Sequence, residues 1–310
     1  MSFVAPPSPQ SVGGILDEWL RLFRVSFSRC WALAAVATLM AAILIFLVEP
    51  VHPPQAMTLW RQLLWLLSVL NKPQGSLASV LVTLIRLLIS GALLAAQVAV
   101  FRGRSLTFVA ALTTGLSLFP RALAGFVLCA IAAVGTGTAV GTLVAVSVGL
   151  GAAFALHPLS GGAAHTFGVA VAVIFIMIPA MYMFVRLALW QSAIFAEGDS
   201  ATGAIGHSWR LVKGHWWRTT AILFVSAVVI FTLNTIMPLL FGLALGVFNA
   251  HTTGLPVGSS TLRFIQVLSH TTWVVTLPLA TSISLTIYHD LKLRHEGADL
   301  AAREGTLSAG

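Results

Sequence analysis

The chain has 310 residues, 58% hydrophobic and 8% charged, with a mean hydropathy of +0.95. A water-soluble protein is about a quarter charged, so this composition excludes a soluble enzyme, a disordered chain and a collagen-like rod. What remains is a polytopic membrane protein, in which a net charge of +8 anchors one face rather than binding nucleic acid.

The opening MSFVAPPSPQ has no basic n-region, and the first apolar run starts only near residue 31. A cleavable signal peptide is therefore not expected. A hydrocarbon core about 30 Å thick needs roughly 20 apolar residues to cross it. Six stretches qualify: 31–48, 79–101, 122–150, 166–189, 219–248 and 264–288. They are too long and too little alternating for barrel strands. In the third, Gly135, Gly137 and Gly141 either mark a loop or let helices approach closely. Segment 53–73, bounded by prolines, is short for a span. It either lies on the outer interface, as Trp60 and Trp65 favour, or re-enters partway.

Counting Lys and Arg sets the expected orientation. With the amino terminus inside, the inner segments hold thirteen cations: Arg21, Arg24, Arg29, Arg102, Arg104, Arg121, Arg186, Arg210, Lys213, Arg218, Lys292, Arg294 and Arg303. The outer segments hold three, Arg61, Lys72 and Arg263, and Arg86 falls within a span. Both termini are thus expected in the cytoplasm.

A similar segment precedes each inside-to-outside crossing. Aligning 16–31 with 205–220 matches Arg21 to Arg210, Leu22 to Leu211, Arg24 to Lys213, Phe27 to Trp216 and Arg29 to Arg218. The weaker middle copy, 111–122, keeps Phe119 and Arg121. Repetition at this spacing predicts three related units, about 11–105, 106–200 and 201–298, followed by a flexible tail at 299–310. The expected fold is all-α: one membrane domain over 1–310, with six transmembrane helices in three hairpins, each preceded by an amphipathic cytoplasmic interfacial helix. In those helices Trp19, Phe27, Phe119, Trp209, Trp216 and Trp217 are the candidate interfacial anchors. Arg21, Arg24, Arg29, Arg121, Arg210, Lys213 and Arg218 are the candidate contacts to anionic lipid.

Two passages carry a resemblance: AEGDSATGAIGHSWRLVKGHWW (196–217) and YHDLKLRHEGADL (288–300), together with the opening GGILDEWLRLFRVSF. The chain resembles a bacterial six-span family similar to the membrane domain of some glycerophosphoryl diester phosphodiesterases, which includes stand-alone members without a known role. The residues that match its pattern are Glu197, Gly198, Ser208, Trp209, Gly214 and Trp216, then Tyr288, Asp290, Leu291, Arg294, Glu296, Gly297, Asp299 and Leu300. Ten residues follow Leu300, so no phosphodiesterase barrel is expected, and hydrolase activity does not carry over. The resemblance implies a bacterial inner-membrane location.

Arg86 in VTLIRLLIS is the most informative intramembrane residue. Burying it there costs roughly 2.5 kcal/mol or more unless it is paired or hydrated. Three readings stand: snorkelling to the outer face or a bond to helix-end carbonyls, contact with an anionic lipid or substrate in a polar cavity, or a pair with Glu49. His270 is read as a packing residue, or else as a proton or ligand group. Asn234 and Pro238 interrupt the fifth span, either as a static kink or as a broken helix lining a site. His52, His157, His165 and His251 are scattered on the outer side, whereas His207 and His215, eight apart, are placed to share one face of an inner helix.

Cys30 and Cys129 show no CxxC spacing, so no disulfide framework, metal or cofactor is expected. Neither a phosphate-binding glycine loop nor a Gly-x-Ser-x-Gly elbow is present. The leading expectation is a non-enzymatic protein that engages anionic membrane lipid or a membrane partner. The alternative is a transporter or lipid-moving channel with a polar cavity near Arg86, and an intramembrane hydrolase ranks last.

Overall fold

The computed structural model describes residues 3–48, 76–155, 178–244, 267–268 and 270–308. Among these, the regular structure is helical. In chain order the helices are α1 (Val12–Val48), α2 (Ser76–Phe101), α3 (Phe108–Ala155), α4 (Trp190–Glu197), α5 (Ala201–Val212), α6 (Trp216–Ala244) and α7 (Trp273–Ser308). A further helical stretch, 178–187, leads into α4, and a 3-10 turn, His270–Thr272, leads into α7. Six segments are long and apolar enough to cross a membrane: Val12–Leu44, Val80–Phe101, Phe108–Thr136, Ile178–Glu197, Trp216–Met237 and His270–His295. The chain is thus an all-α, multi-pass membrane protein. Segment 53–73, Glu49, the outer histidines, and Arg61, Lys72 and Arg263 lie outside the described residues.

α1, α2 and α7 form the centre, with α3 against α2. Ile15, Trp19 and Leu22 are spaced to share one face of α1, and all three are buried. The indole of Trp19 is 2% exposed, and its Nε1 donates to Leu279 O on α7 at 2.8 Å. At the adjacent carbonyl, the buried amide of Gln97 donates to Pro278 O at 2.8 Å. With no water in the core, such interhelical bonds satisfy polar groups and join helices. Ser192 and Ser284 add another at 2.7 Å, and Gln191 donates to Ser90 at 2.6 Å.

Small residues let backbones meet. A Cβ on Gly115 would stand 2.9 Å from Ala92 Cβ and 3.0 Å from its backbone nitrogen, so α3 reaches α2 only because that atom is absent. A Cβ on Gly91 would meet the Phe195 ring at 2.4 Å.

The interfacial helices differ from the sequence expectation. Segment 16–31 is the opening of one continuous 37-residue helix, because no Gly or Pro interrupts residues 16–48. Segment 111–122 likewise runs unbroken into α3, with Pro120 inside the helix. The third copy, 205–220, is split: residues 205–212 lie in a separate helix, α5, and 216–220 open α6. Ser200 caps the start of α5 by accepting from Gly203 N at 3.2 Å. Gly214, at φ 87°, turns the chain before α6. That turn also removes His207 and His215 from a shared helix face. α6 is continuous through position 238, so Pro238 does not end it. The 299–308 part of the expected tail continues α7 as helix.

Candidate functional site

Charged residues gather at one end of the bundle, where the amino-terminal segment, the end of α2, the start of α6 and the middle third of α7 meet. Aromatic contacts fix this meeting: the Phe3 and Phe101 rings lie 5.1 Å apart, and those of Phe101 and His289 lie 4.6 Å apart. At its centre the carboxylate of Asp290 is 2% exposed. Oδ1 accepts from Gln10 N at 2.7 Å. Oδ2 accepts from Arg294 Nε at 2.8 Å, one helical turn on, and from Arg218 Nη2 at 3.3 Å. Both guanidiniums also donate to Gln10 O, Arg294 at 2.6 Å. One carboxylate and one backbone carbonyl thus tie three chain segments together.

The other motif residues fasten the ends of neighbouring helices. Gly198, at φ 78°, closes α4, and its carbonyl accepts from Arg121 Nη1 at 2.8 Å. Glu197 pairs with Lys292 on α7. Asp199 pairs with His207 Nδ1 at 3.0 Å. Ser208, fully buried, donates to Arg186 O at 2.8 Å and accepts from Leu189 N at 3.2 Å. Arg186 stacks on Tyr182 and Trp209 and donates to Trp209 O at 3.0 Å. Gly297 is exposed on α7; the Glu296 and Asp299 side chains lie outside what the structure describes. A cleft of about 380 Å³ opens among Val98, Phe101, Arg102, Glu197, Tyr288 and Lys292. Two of its cations are already engaged, Arg102 by Ala196 O and Lys292 by Glu197.

A second group of cations stays outside this network. Arg24, Arg29, Arg104, Arg210 and Lys213 are exposed, and among the described residues their side chains make no hydrogen bond or ion pair. Arg21 is exposed as well, 5.7 Å over the Phe3 ring. Exposed aromatics accompany them: Trp31, Trp209 and, at 80% exposure, Trp217.

The expected site residues therefore divide. Arg21, Arg24, Arg29, Arg210 and Lys213 are exposed. Arg218 is not, because Asp290 and Gln10 hold it. Arg121 is exposed but bonded to Gly198. Trp19 is no interfacial anchor, because α1 turns it into the protein against α7. Phe27, Phe119 and Trp216 are half-buried, and Trp216 stacks edge-on against Trp217 at 4.6 Å. Arg29, Arg121 and Arg218, matched in sequence, make three different sets of contacts.

His215, in the α5–α6 turn, faces Arg294, His295 and Arg218. Burial, first, and then these cations lower its pKa below the usual imidazole value, against an opposing pull from Asp290. Its ring lies 5.8 Å from that of His295. Among the described residues no group of three or more His, Cys, Asp or Glu is placed to hold a metal.

Toward the opposite end, Arg86 lies with its Cζ 4.6 Å over the Trp273 ring, and Trp273 meets His270 edge-on at 4.6 Å. His270 is 5% exposed. Thr272 beside it donates to Asn234 Oδ1 on α6 at 2.8 Å.

Comparison with protein-family models, with curated proteins and with solved structures finds no match to the chain.

Proposed function

We propose that this is a non-enzymatic membrane protein that engages anionic lipid through its basic end. On this reading it sits in a bacterial inner membrane with both termini in the cytoplasm. The observation that carries the proposal is the division of the cations. One set is spent on Asp290, Glu197 and backbone carbonyls, while Arg24, Arg29, Arg210 and Lys213 stay exposed, as do Trp209 and Trp217. Exposed Lys and Arg at a membrane surface each contribute about 1 kcal/mol toward anionic headgroups, and tryptophan prefers headgroup depth. The motif residues of the resemblance support it differently: in this reading they hold the basic surface in shape rather than perform chemistry.

The test uses the full chain in nanodiscs. Native mass spectrometry is expected to show preferential retention of phosphatidylglycerol over phosphatidylcholine. Replacing Arg24, Arg29, Arg210 and Lys213 together by Gln should remove most of that preference, with an unchanged melting temperature. An undiminished preference in that variant would contradict the proposal. The second reading, a transporter or lipid-moving channel, draws only on the exposure of Arg86.

A further inference from the structure

Arg86 occupies an unusual place on α2. Val82, Ile89 and Leu93, at i−4, i+3 and i+7, define the face that the helix turns toward its neighbours, and all three are buried. Arg86 lies on that same stripe yet is exposed. The interhelical packing therefore opens at this level, between α2 and Trp273 at the start of α7. The exposed apolar residues Leu77, Val80 and Leu81 lie on the other side of α2.

The guanidinium lies over the indole of Trp273, which packs against the core cluster containing Ile89 and Leu277. A stacked guanidinium uses its face; its five N–H donors point outward in its plane. Among the described residues none of these donors meets an acceptor. In an apolar medium they require one, and a planar fork of donors matches two oxygens of a phosphodiester.

Depth identifies the source. Arg102 stands at the basic end of α2, sixteen residues from Arg86, about 24 Å along a helix rising ~1.5 Å per residue. A hydrocarbon core is about 30 Å thick, so Arg86 lies roughly one side-chain length short of the far boundary. Trp273 beside it suits that boundary.

We propose that Arg86 and Trp273 form a site for the phosphodiester of a lipid in the leaflet opposite the basic end. The indole holds the guanidinium flat, and the N–H edge takes two phosphate oxygens. The site is separate from the basic surface and does not rest on it.

The experiment titrates dioleoyl phosphatidylglycerol into the full-length protein in an uncharged detergent and follows each binding step by native mass spectrometry. Arg86→Gln should weaken one step about tenfold, the loss of a bidentate charged contact. Arg86→Lys keeps the charge but not the fork; it should weaken the same step less, and it serves if Arg86→Gln does not fold. Trp273→Leu should weaken that step too. The Arg24, Arg29, Arg210 and Lys213 variant should leave it in place, so this site and the basic surface can fail separately. Dioleoylglycerol, which lacks the phosphate, should bind wild type and Arg86→Gln alike. An unchanged step in a folded Arg86→Gln protein would overturn the proposal, and so would displacement of the lipid by inorganic phosphate at equal concentration. It would equally fail if Glu49→Gln lowered the melting temperature as much as Arg86→Gln while neither changed lipid binding, since the partner would then be that carboxylate.

Discussion

α2 and α6 have the same span hydropathy, 2.1, but 67% of the α2 window is buried and only 11% of the α6 window. Hydrophobicity therefore puts both helices in the bilayer without deciding which one stands at the centre. In lipid an apolar side chain gains nothing by leaving the hydrocarbon, so close packing and interhelical hydrogen bonds decide. α2 carries Gly91, Ala92, Ala95, Ala96 and Ala99, small enough for neighbouring backbones to approach, together with the buried amide of Gln97. α6 instead presents Phe224, Val225, Val228, Val229 and Phe231 outward. α7 makes the same point: its hydropathy is only 1.2, but it is as buried as α2 because its Thr and Ser hydroxyls and Asp290 need protein partners.

Substitutions can break this comparison, and the largest effect is expected at Asp290. Asp290→Ala leaves Arg218 and Arg294 without their carboxylate and frees Gln10 N, a loss of about 3 kcal/mol when a buried pair is broken from one side. A fall in the melting temperature of the purified protein, with early proteolysis near Gln10, is the expected result. Next comes Gly115→Val. Its side chain would collide with the backbone at Ala92, costing about 2 kcal/mol. Gly135→Ala, whose Cβ would meet nothing within 4 Å, is the matched control and should change nothing measurable. Trp19→Phe removes the bond to Leu279 O while keeping an aromatic ring, and should cost about 1 kcal/mol. On α6, Phe224→Leu faces lipid and should stay within about 0.5 kcal/mol in thermal melts.

The smallest expected effect depends on pH. His215 has a folded pKa below its unfolded value, so the folded state resists its protonation. Stability from this residue is fully present above about pH 6.5 and is lost as pH falls through the folded pKa. Melting temperatures between pH 7.5 and 5.5 should decline less steeply in His215→Gln than in wild type.

The all-helical membrane architecture is legible from apolar run length alone, because length sets whether a helix can span. The separate helix α5 is also readable, since Ser200 and Gly214 bracket it. The continuity of α1 was readable in principle: with no Gly or Pro between 16 and 48, nothing stops the helix. The aromatic-basic pattern of 16–31 instead favoured a flat interfacial helix, and Trp19 went to the wrong environment because one indole suits a headgroup layer and a protein core equally. Within the candidate site, the Asp290–Arg294 pair follows from i,i+4 spacing. The partners Gln10 and Arg218 do not, because they lie 280 and 72 residues away from Asp290 and only the packed bundle brings them together. Nor does sequence say which of the matched arginines are spent and which are free.

The measurement closest to the central claim is membrane topology. Dual reporters, alkaline phosphatase and green fluorescent protein, fused after Arg29, after Arg104 and after Gly310 should all report the cytoplasmic side, because an even number of crossings gathers the basic end on one face. A periplasmic signal from any of the three would contradict it.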